Sequence, residues 1–126
     1  QCAVPPCTQV CPVGSTYQTK DGVVVIDHDS CIGCAYCIQA CPYGARFWDE
    51  EFLCANKCDF CYHRITKGLE PACVLACPTG TRVFGDLKDP DSPVYAALHS
   101  EKATILKRHL GTEPKVYYTD LHKDIV

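Results

Sequence analysis

Large apolar side chains are in short supply: Leu, Ile, Val and Phe together number 29 of the 126 residues. A single domain of this length would have a thin core, so something other than aliphatic packing must hold it together. Long hydrophobic runs are missing too. Nothing approaches the ~18 consecutive apolar residues of a membrane span; the longest notable tract is Gly22-Val23-Val24-Val25-Ile26. No signal peptide is legible at the start. Basic residues are not in excess, with 12 Lys+Arg against 15 Asp+Glu and a net charge of -3, which argues against a primary nucleic-acid role. Also missing are a nucleophile paired with a base, a Gly-rich phosphate loop and a histidine–carboxylate zinc set, so no machinery for transforming an organic substrate is visible. The five histidines, His28, His63, His99, His109 and His122, are scattered without metal-ligand spacing and read as surface or structural residues. His63-Arg64, a basic pair two residues past Cys61, is the exception, placed to tune a metal group or dock an acidic partner.

Cysteine is abundant, with 12 in the chain. Two classes follow from the count alone: a disulfide scaffold, or a metal- or cluster-binding protein. Spacing separates them. Cys-Pro-X-Gly occurs three times, at Cys11–Gly14, Cys41–Gly44 and Cys77–Gly80, each with a cysteine four places earlier, at Cys7, Cys37 and Cys73. Each is followed by a strand-like tract: Ser15–Gln18, Ala45–Trp48 and Thr81–Phe84. Disulfide frameworks do not require this punctuation, whereas a folding unit used three times does.

The middle repeat is complete. Cys31, Cys34, Cys37, Cys41 and Pro42 match C-x2-C-x2-C-x3-C-P, the bacterial ferredoxin run that binds 4Fe-4S clusters. Three closely spaced thiolates wrap three corners of one cube, and the fourth, a helical turn away, ligates the other cluster in two-cluster ferredoxins. Gly33 would let the backbone approach an inorganic sulfide, and Pro42 fixes the exit. Zinc sites more often use two separated C-x2-C pairs or add histidines.

The third repeat is a variant, in which Cys58 and Cys61 are separated by an inserted loop, Tyr62 to Ala72, from Cys73, Cys77 and Pro78. Taken alone it also suits zinc; its Cys-Pro-Thr-Gly ending ties it to the cluster repeat. The first repeat is cut short. Cys2, Cys7, Cys11 and Pro12 need one more cysteine three places before Cys2, so the chain is expected to begin inside a motif. Cys54 fits no repeat and reads as a small buried residue or free thiol, with a substitute ligand as the alternative.

Elsewhere, Asp21-Gly22 between Thr16–Gln18 and Val23–Asp27 predicts a hairpin. Short helices are expected over 34–40 and 71–76. Ser92 and Pro93 suit the cap and first position of a further helix, with Val94, Ala97, Leu98 and Ile105 as its apolar stripe. Lys115–Thr119 reads as a terminal strand, lying over the core, on a partner, or on plain surface. Arg46 and Arg82 hold equivalent places after their turns, where a cation either offsets the negative charge of thiolate-bound clusters or is simply solvated.

On the runs Cys7–Phe47, Cys58–Pro90 and Leu110–Tyr118, the sequence resembles the four-cluster iron–sulfur electron-transfer subunit of the DMSO reductase family of molybdopterin oxidoreductases. Partly through the ending Val116–Val126, it is most similar to the tetrathionate and polysulfide reductase types. The resemblance implies an α+β fold of tandem bacterial ferredoxin-like units in pseudo-twofold relation, each binding two 4Fe-4S clusters, with short helices, hairpins and long cluster-binding loops. Residues 1–90 would form the iron–sulfur domain, lacking its first cysteine group, and 91–126 a helix-and-strand extension.

Family members carry four cysteine groups that interlock, the second with the third and the first with the fourth. Carried over, Cys31, Cys34, Cys37 and Cys11 would hold one complete cluster. Cys2, Cys7 and Cys41 would hold three corners of a second, and Cys58, Cys61 and Cys73 three corners of a third. Cys77 would belong to a fourth. On this pattern the chain is expected to be part of a longer protein. The implied role is relaying single electrons between a molybdopterin catalytic subunit and a quinol-linked membrane anchor, with no catalytic site of its own and no span of its own. The expected location is a membrane-associated complex on the extracytoplasmic face, and the acceptor a sulfur oxyanion or similar species. A soluble polyferredoxin serving a formate dehydrogenase or hydrogenase is the alternative electron carrier, and a structural zinc or disulfide protein the alternative of another class.

Overall fold

The Asp21-Gly22 turn joins two short antiparallel strands, as its sequence predicts: β1, Thr16–Gln18, pairs with β2, Val24–Ile26, with Tyr17 opposite Val25. The computed structural model of the protein describes residues 1–100 and 103–122, so the last four residues of the Val116–Val126 ending lie outside the described residues. The chain divides into two compact units, Gln1–Asp59 with Leu106–Val116, and Phe60–Ile105 with Tyr117–Val126.

In the first unit, α1 (Pro6–Gln9) precedes the β1–β2 hairpin, and α2 (Tyr36–Gln39) precedes a second hairpin, β3 (Arg46–Asp49) with β4 (Cys54–Lys57). The two helices pack on one another, and β2 lies against β4. A four-residue helix is not stable by itself, so each survives by this packing. Pro6 presets the start of α1. At the end of α2, Pro42 biases Cys41 away from helical geometry. The helix expected over 34–40 is therefore shorter at its start, because Ala35 adopts a left-handed backbone (φ 60°) and caps it.

Around Val24 and Ala55 the core collects Cys7 and Cys37, flanked by Ile26 and Ile38. Among the described residues, four of the seven buried hydrophobic side chains are cysteines: Cys2, Cys7, Cys37 and Cys54. The shortage of aliphatic residues is thus met by thiols at the positions where a core would lie.

Residues 106–116 return to this unit as a strap. Backbone bonds run from Ala3 N to Glu113 O (2.8 Å), Val4 N to Thr112 O (3.1 Å) and Lys115 N to Gln1 O (2.8 Å). A bridge joins Cys2 and Pro114, and Lys107 Nζ donates to Pro42 O at 2.5 Å.

In the second unit, α3 (Tyr62–Ile65) and α4 (Ala72–Leu75) are followed by α5 (Pro93–Ser100) and a two-residue pairing of β5 (Ala103–Thr104) with β6 (Tyr118–Thr119). Several expectations need correction here. The segment read as the inserted loop, Tyr62 to Ala72, opens with α3. The expected strand Thr81–Phe84 does not form: Leu87-Lys88-Asp89-Pro90 follows it, polar and ended by proline, and offers no facing strand for its backbone. Only Tyr118–Thr119 of the expected terminal strand is paired. Helix α5 begins where expected, yet Ser92 does not cap it with its side chain. The Ser92 hydroxyl is buried without a hydrogen-bond partner against Gly85, while its carbonyl accepts from Tyr95 N at 3.0 Å. The chain is thus an α+β arrangement of short helices and two-stranded sheets. No helix among the described residues is long and apolar enough to cross a membrane.

Candidate metal centre

The three Cys-Pro-X-Gly turns share one backbone geometry. Gly14, Gly44 and Gly80 have φ of 68°, 60° and 65°, a left-handed conformation that glycine adopts without a Cβ penalty. Gly44 N and Gly80 N each donate back to the carbonyl of their own cysteine, Cys41 and Cys77, at 3.4 Å. The repeat is therefore a repeated turn that folds the backbone around a cysteine.

Within C-x2-C, Gly33 also has a left-handed φ of 68°, and a Cβ there would press on the Trp48 ring at 3.1 Å and on Leu53 O at 3.2 Å. The crowding that keeps this position free of a side chain thus comes from Trp48 and Leu53. The same place in the third repeat is filled by Phe60, which holds φ 58° despite its ring. Such a conformation costs a bulky residue of order 1 kcal/mol or more and needs surrounding structure to hold it. Phe60 meets Phe84 edge-on, ring centroids 5.4 Å apart.

None of the twelve cysteines, all of them described, is in a disulfide. Cys2, Cys7 and Cys41 line one small cavity in the first unit, together with Pro5, Pro42, Arg46 and Lys57. Among the described residues no carboxylate lines it. Cys37 lies within electrostatic reach of Cys31 and Cys7, and Cys54 within reach of Cys31. Cys34, Cys58 and Cys73 are exposed. Cys58 belongs to the first unit, while Cys61, Cys73 and Cys77 belong to the second. Among the described residues no three His, Cys, Asp or Glu side chains gather round a single ion; the thiols border a larger space.

Two cations face that space. Arg46 is 5% exposed. Its Nη2 donates to Thr16 Oγ1 at 2.7 Å, and its buried Nη1 has no partner. Lys57 Nζ donates to the carbonyls of Val24 and Cys58. Burial, and then the Arg46 charge, bring the Lys57 ammonium down to about 8. An uncompensated buried guanidinium is costly unless an anion stands nearby. A thiol-lined cavity with inward-facing cations and no carboxylate therefore fits a thiolate-bound, net negative iron–sulfur cluster. Arg82, the equivalent residue of the third repeat, is exposed. The two arginines that sequence placed on a par are distinct in the fold.

The thiols themselves divide. Burial pushes Cys2 up. Burial pushes Cys37 up as well, opposed by the charge and hydrogen bonding of Arg46. For Cys54, burial and then the neighbouring Cys31 and Asp49 act upward together. At Cys11, burial acts upward but is outweighed by the Ser15 hydroxyl, 3.4 Å from Sγ, and by backbone N–H groups of Thr16, Val13 and Ser15, giving about 7. The Thr81 hydroxyl (3.5 Å), then Thr79 (3.6 Å), bring Cys77 down to about 6. Thiolate is the form that ligates metals, and these hydroxyls favour it at two of the cysteines.

Ser15, Thr81 and Thr112 went unnoticed in the sequence. A signal for the first two was present: a hydroxyl residue four places after the cysteine in the first and third repeats, where the second has Ala45. Thr112, whose hydroxyl reaches Cys2, had no such signal.

Comparison with known proteins adds two findings. Residues 1–87 match the family described as 4Fe-4S dicluster domain. The chain is similar to a tetrathionate reductase subunit of Salmonella typhimurium, 52% identical over 95% of this chain and 49% of that protein. It is also similar to a polysulfide reductase chain of Wolinella succinogenes, 45% identical over 93% of this chain and 62% of that protein. With a sulfite dehydrogenase subunit of Allochromatium vinosum it shares 45% identity, over 97% of this chain and 54% of that protein. The chain thus spans about half the length of most curated relatives it matches.

Proposed function

Since this protein belongs to the 4Fe-4S dicluster domain family, we propose that it is the electron-relay part of a respiratory oxidoreductase, set between a molybdopterin catalytic subunit and a quinol-linked membrane anchor. The observation that carries this reading is the cavity where Cys2, Cys7 and Cys41 meet two inward-facing cations and no carboxylate. When bound, 4Fe-4S clusters supply reversible one-electron transfer. The chain's own residues hold the clusters, space them, shield them and set their charge environment. The names of the relatives, subunits of reductases and a dehydrogenase, favour part of a complex over a free-standing ferredoxin, and a sulfur oxyanion or similar species as acceptor.

In this reading Cys31, Cys34, Cys37 and Cys11 hold one cluster. Cys2, Cys7 and Cys41 contribute to a second, Cys58, Cys61 and Cys73 to a third, and Cys77 to a fourth. Residues 1–90 carry the clusters and 91–126 form the extension, within a tandem, pseudo-twofold ferredoxin-like architecture. The half-exposed Val116, Tyr117 and Tyr118, at 39%, 40% and 37%, suit an apolar contact with another subunit. His63 and Arg64 suit a polar one. The complex is placed at the membrane, on its extracytoplasmic face.

The test is anaerobic purification of the protein with whatever accompanies it. Expected are about four iron and four sulfide per cluster, together with a molybdopterin protein. Hydrogen exchange should be slower over 62–72 and 116–118 in the assembly than in the isolated subunit. Stoichiometric zinc without sulfide would overturn the cluster reading. An iron–sulfur protein that purifies alone would make it a soluble ferredoxin.

A further inference from the structure

We infer that Arg46 is a shared counter-charge that sets the potentials of two neighbouring clusters together. The inference rests on the electron-relay reading and adds to it a residue outside the cysteine set. Arg46 begins β3, five residues past Cys41, and its guanidinium is turned inward rather than to solvent. One side of it lines the cavity of Cys2, Cys7 and Cys41. The same group acts on the Cys37 thiol, in the neighbouring set with Cys31.

Its position is fixed by a specific contact. Thr16 Oγ1 accepts from Arg46 Nη2 at 2.7 Å and donates to Val25 O at 3.0 Å. The hydroxyl's proton is thereby committed to the strand, so its oxygen is presented to the guanidinium. Thr16 is itself buried, in the first hairpin, while Arg46 is in the second. The bond therefore ties the two hairpins at the point where the two thiol sets adjoin. Among the described residues no carboxylate lines the cavity, and none gives the buried Nη1 a hydrogen-bond partner.

A fixed positive charge favours the more negative, reduced state of a cluster and so raises its potential. A charge between two clusters raises both, whereas one at the surface is screened by water and salt. Lys57 lines the same cavity but is held by the carbonyls of Val24 and Cys58. Arg46, by contrast, leads the charged groups that act on the Cys37 thiol. Arg46 is thus a positioning residue for charge and touches no substrate.

The experiment is an EPR-monitored redox titration of the cluster-loaded protein in its complex, comparing wild type with Arg46→Gln, Arg46→Lys and Arg82→Gln. Iron and sulfide are assayed first in each. Arg46→Gln is expected to lower two cluster potentials in the same direction. Arg46→Lys should lower them less, and Arg82→Gln should leave those two where they were. Unchanged potentials in a fully loaded Arg46→Gln protein, or a shift of one cluster only, would overturn the proposal. If Arg46→Gln loses iron, retention of iron by Arg46→Lys supports a charge role, and loss from both assigns Arg46 to packing and overturns it. Absence of clusters from the wild-type protein would instead sink the electron-relay reading.

Discussion

The hydroxyls of Tyr43 and Thr112, 69 residues apart in sequence, are hydrogen-bonded to one another. Tyr43 belongs to the turn of Cys41, and the Thr112 hydroxyl also reaches the Cys2 thiol. One threonine on the returning strap therefore fastens both sides of the thiol-lined cavity.

Thr112→Val should loosen that closure. Each lost hydrogen bond costs about 1 kcal/mol, and iron at the Cys2–Cys7–Cys41 site should be released faster to a chelator. Tyr43→Phe removes one of the two bonds, so its effect should be smaller. Equal release rates in wild type and Thr112→Val would show that the strap does not guard the cavity.

Hydroxyl substitutions beside the turns should move potentials in opposite senses. Ser15→Ala deletes the hydroxyl 3.4 Å from Cys11 Sγ, a bond worth about 1 kcal/mol to the thiolate. Hydrogen bonds to the sulfurs are among the factors that set cluster potential, so the cluster holding Cys11 should fall in potential. Ala45→Ser places a hydroxyl at the corresponding site after Cys41 and should raise that cluster. Voltammetry of both variants checks the signs, and a fall or no change in Ala45→Ser would count against the rule.

Ligand exchange between repeats can be read spectroscopically. With Cys11 completing the Cys31–Cys34–Cys37 cluster, Cys11→Ser and Cys34→Ser should perturb one and the same EPR signal, by ferredoxin logic. Changes in two different signals, or a structure with Cys41 on that cluster, would refute the crossover.

Cys54 is 1% exposed and lies beside Cys31. Cys54→Ala should leave the iron content unchanged and cost about 1 kcal/mol of stability, in the range of small core deletions. Denaturant unfolding and iron assay check the two halves separately. Loss of one cluster's iron would make Cys54 a substitute ligand.

Reading the sequence alone succeeded where chemistry is local. Asp21-Gly22 specifies its hairpin, and Cys-Pro-X-Gly specifies its turn, because each depends on the φ its own residues can adopt. It failed where the deciding partner is distant. Arg46 and Arg82 follow identical turns, but only Arg46 finds a buried acceptor, and that acceptor, Thr16, lies 30 residues away. Thr81–Phe84 resembles Ala45–Trp48 in composition, yet only the latter has a following strand to pair with. Ser92 has the residue type of a cap and spends its hydroxyl against Gly85 instead. The site followed the same rule: its candidate thiols stand out in sequence as a spaced pattern, its inward-facing cations and hydroxyls only in the fold.

The first unit is discontinuous, with residues 60–105 intervening between its body and its strap. During synthesis the cysteines of residues 1–59 leave the ribosome well before residues 106–116 can arrive to cover them. At about 5–20 residues per second the interval is measured in seconds, and the long-range contacts that end it form late. The strap's bonds to Ala3, Val4 and Gln1 and its bridge to Cys2 are thus the last contacts of the first unit to become available. The order in which the first unit is completed is set by where along the chain Thr112 is encoded.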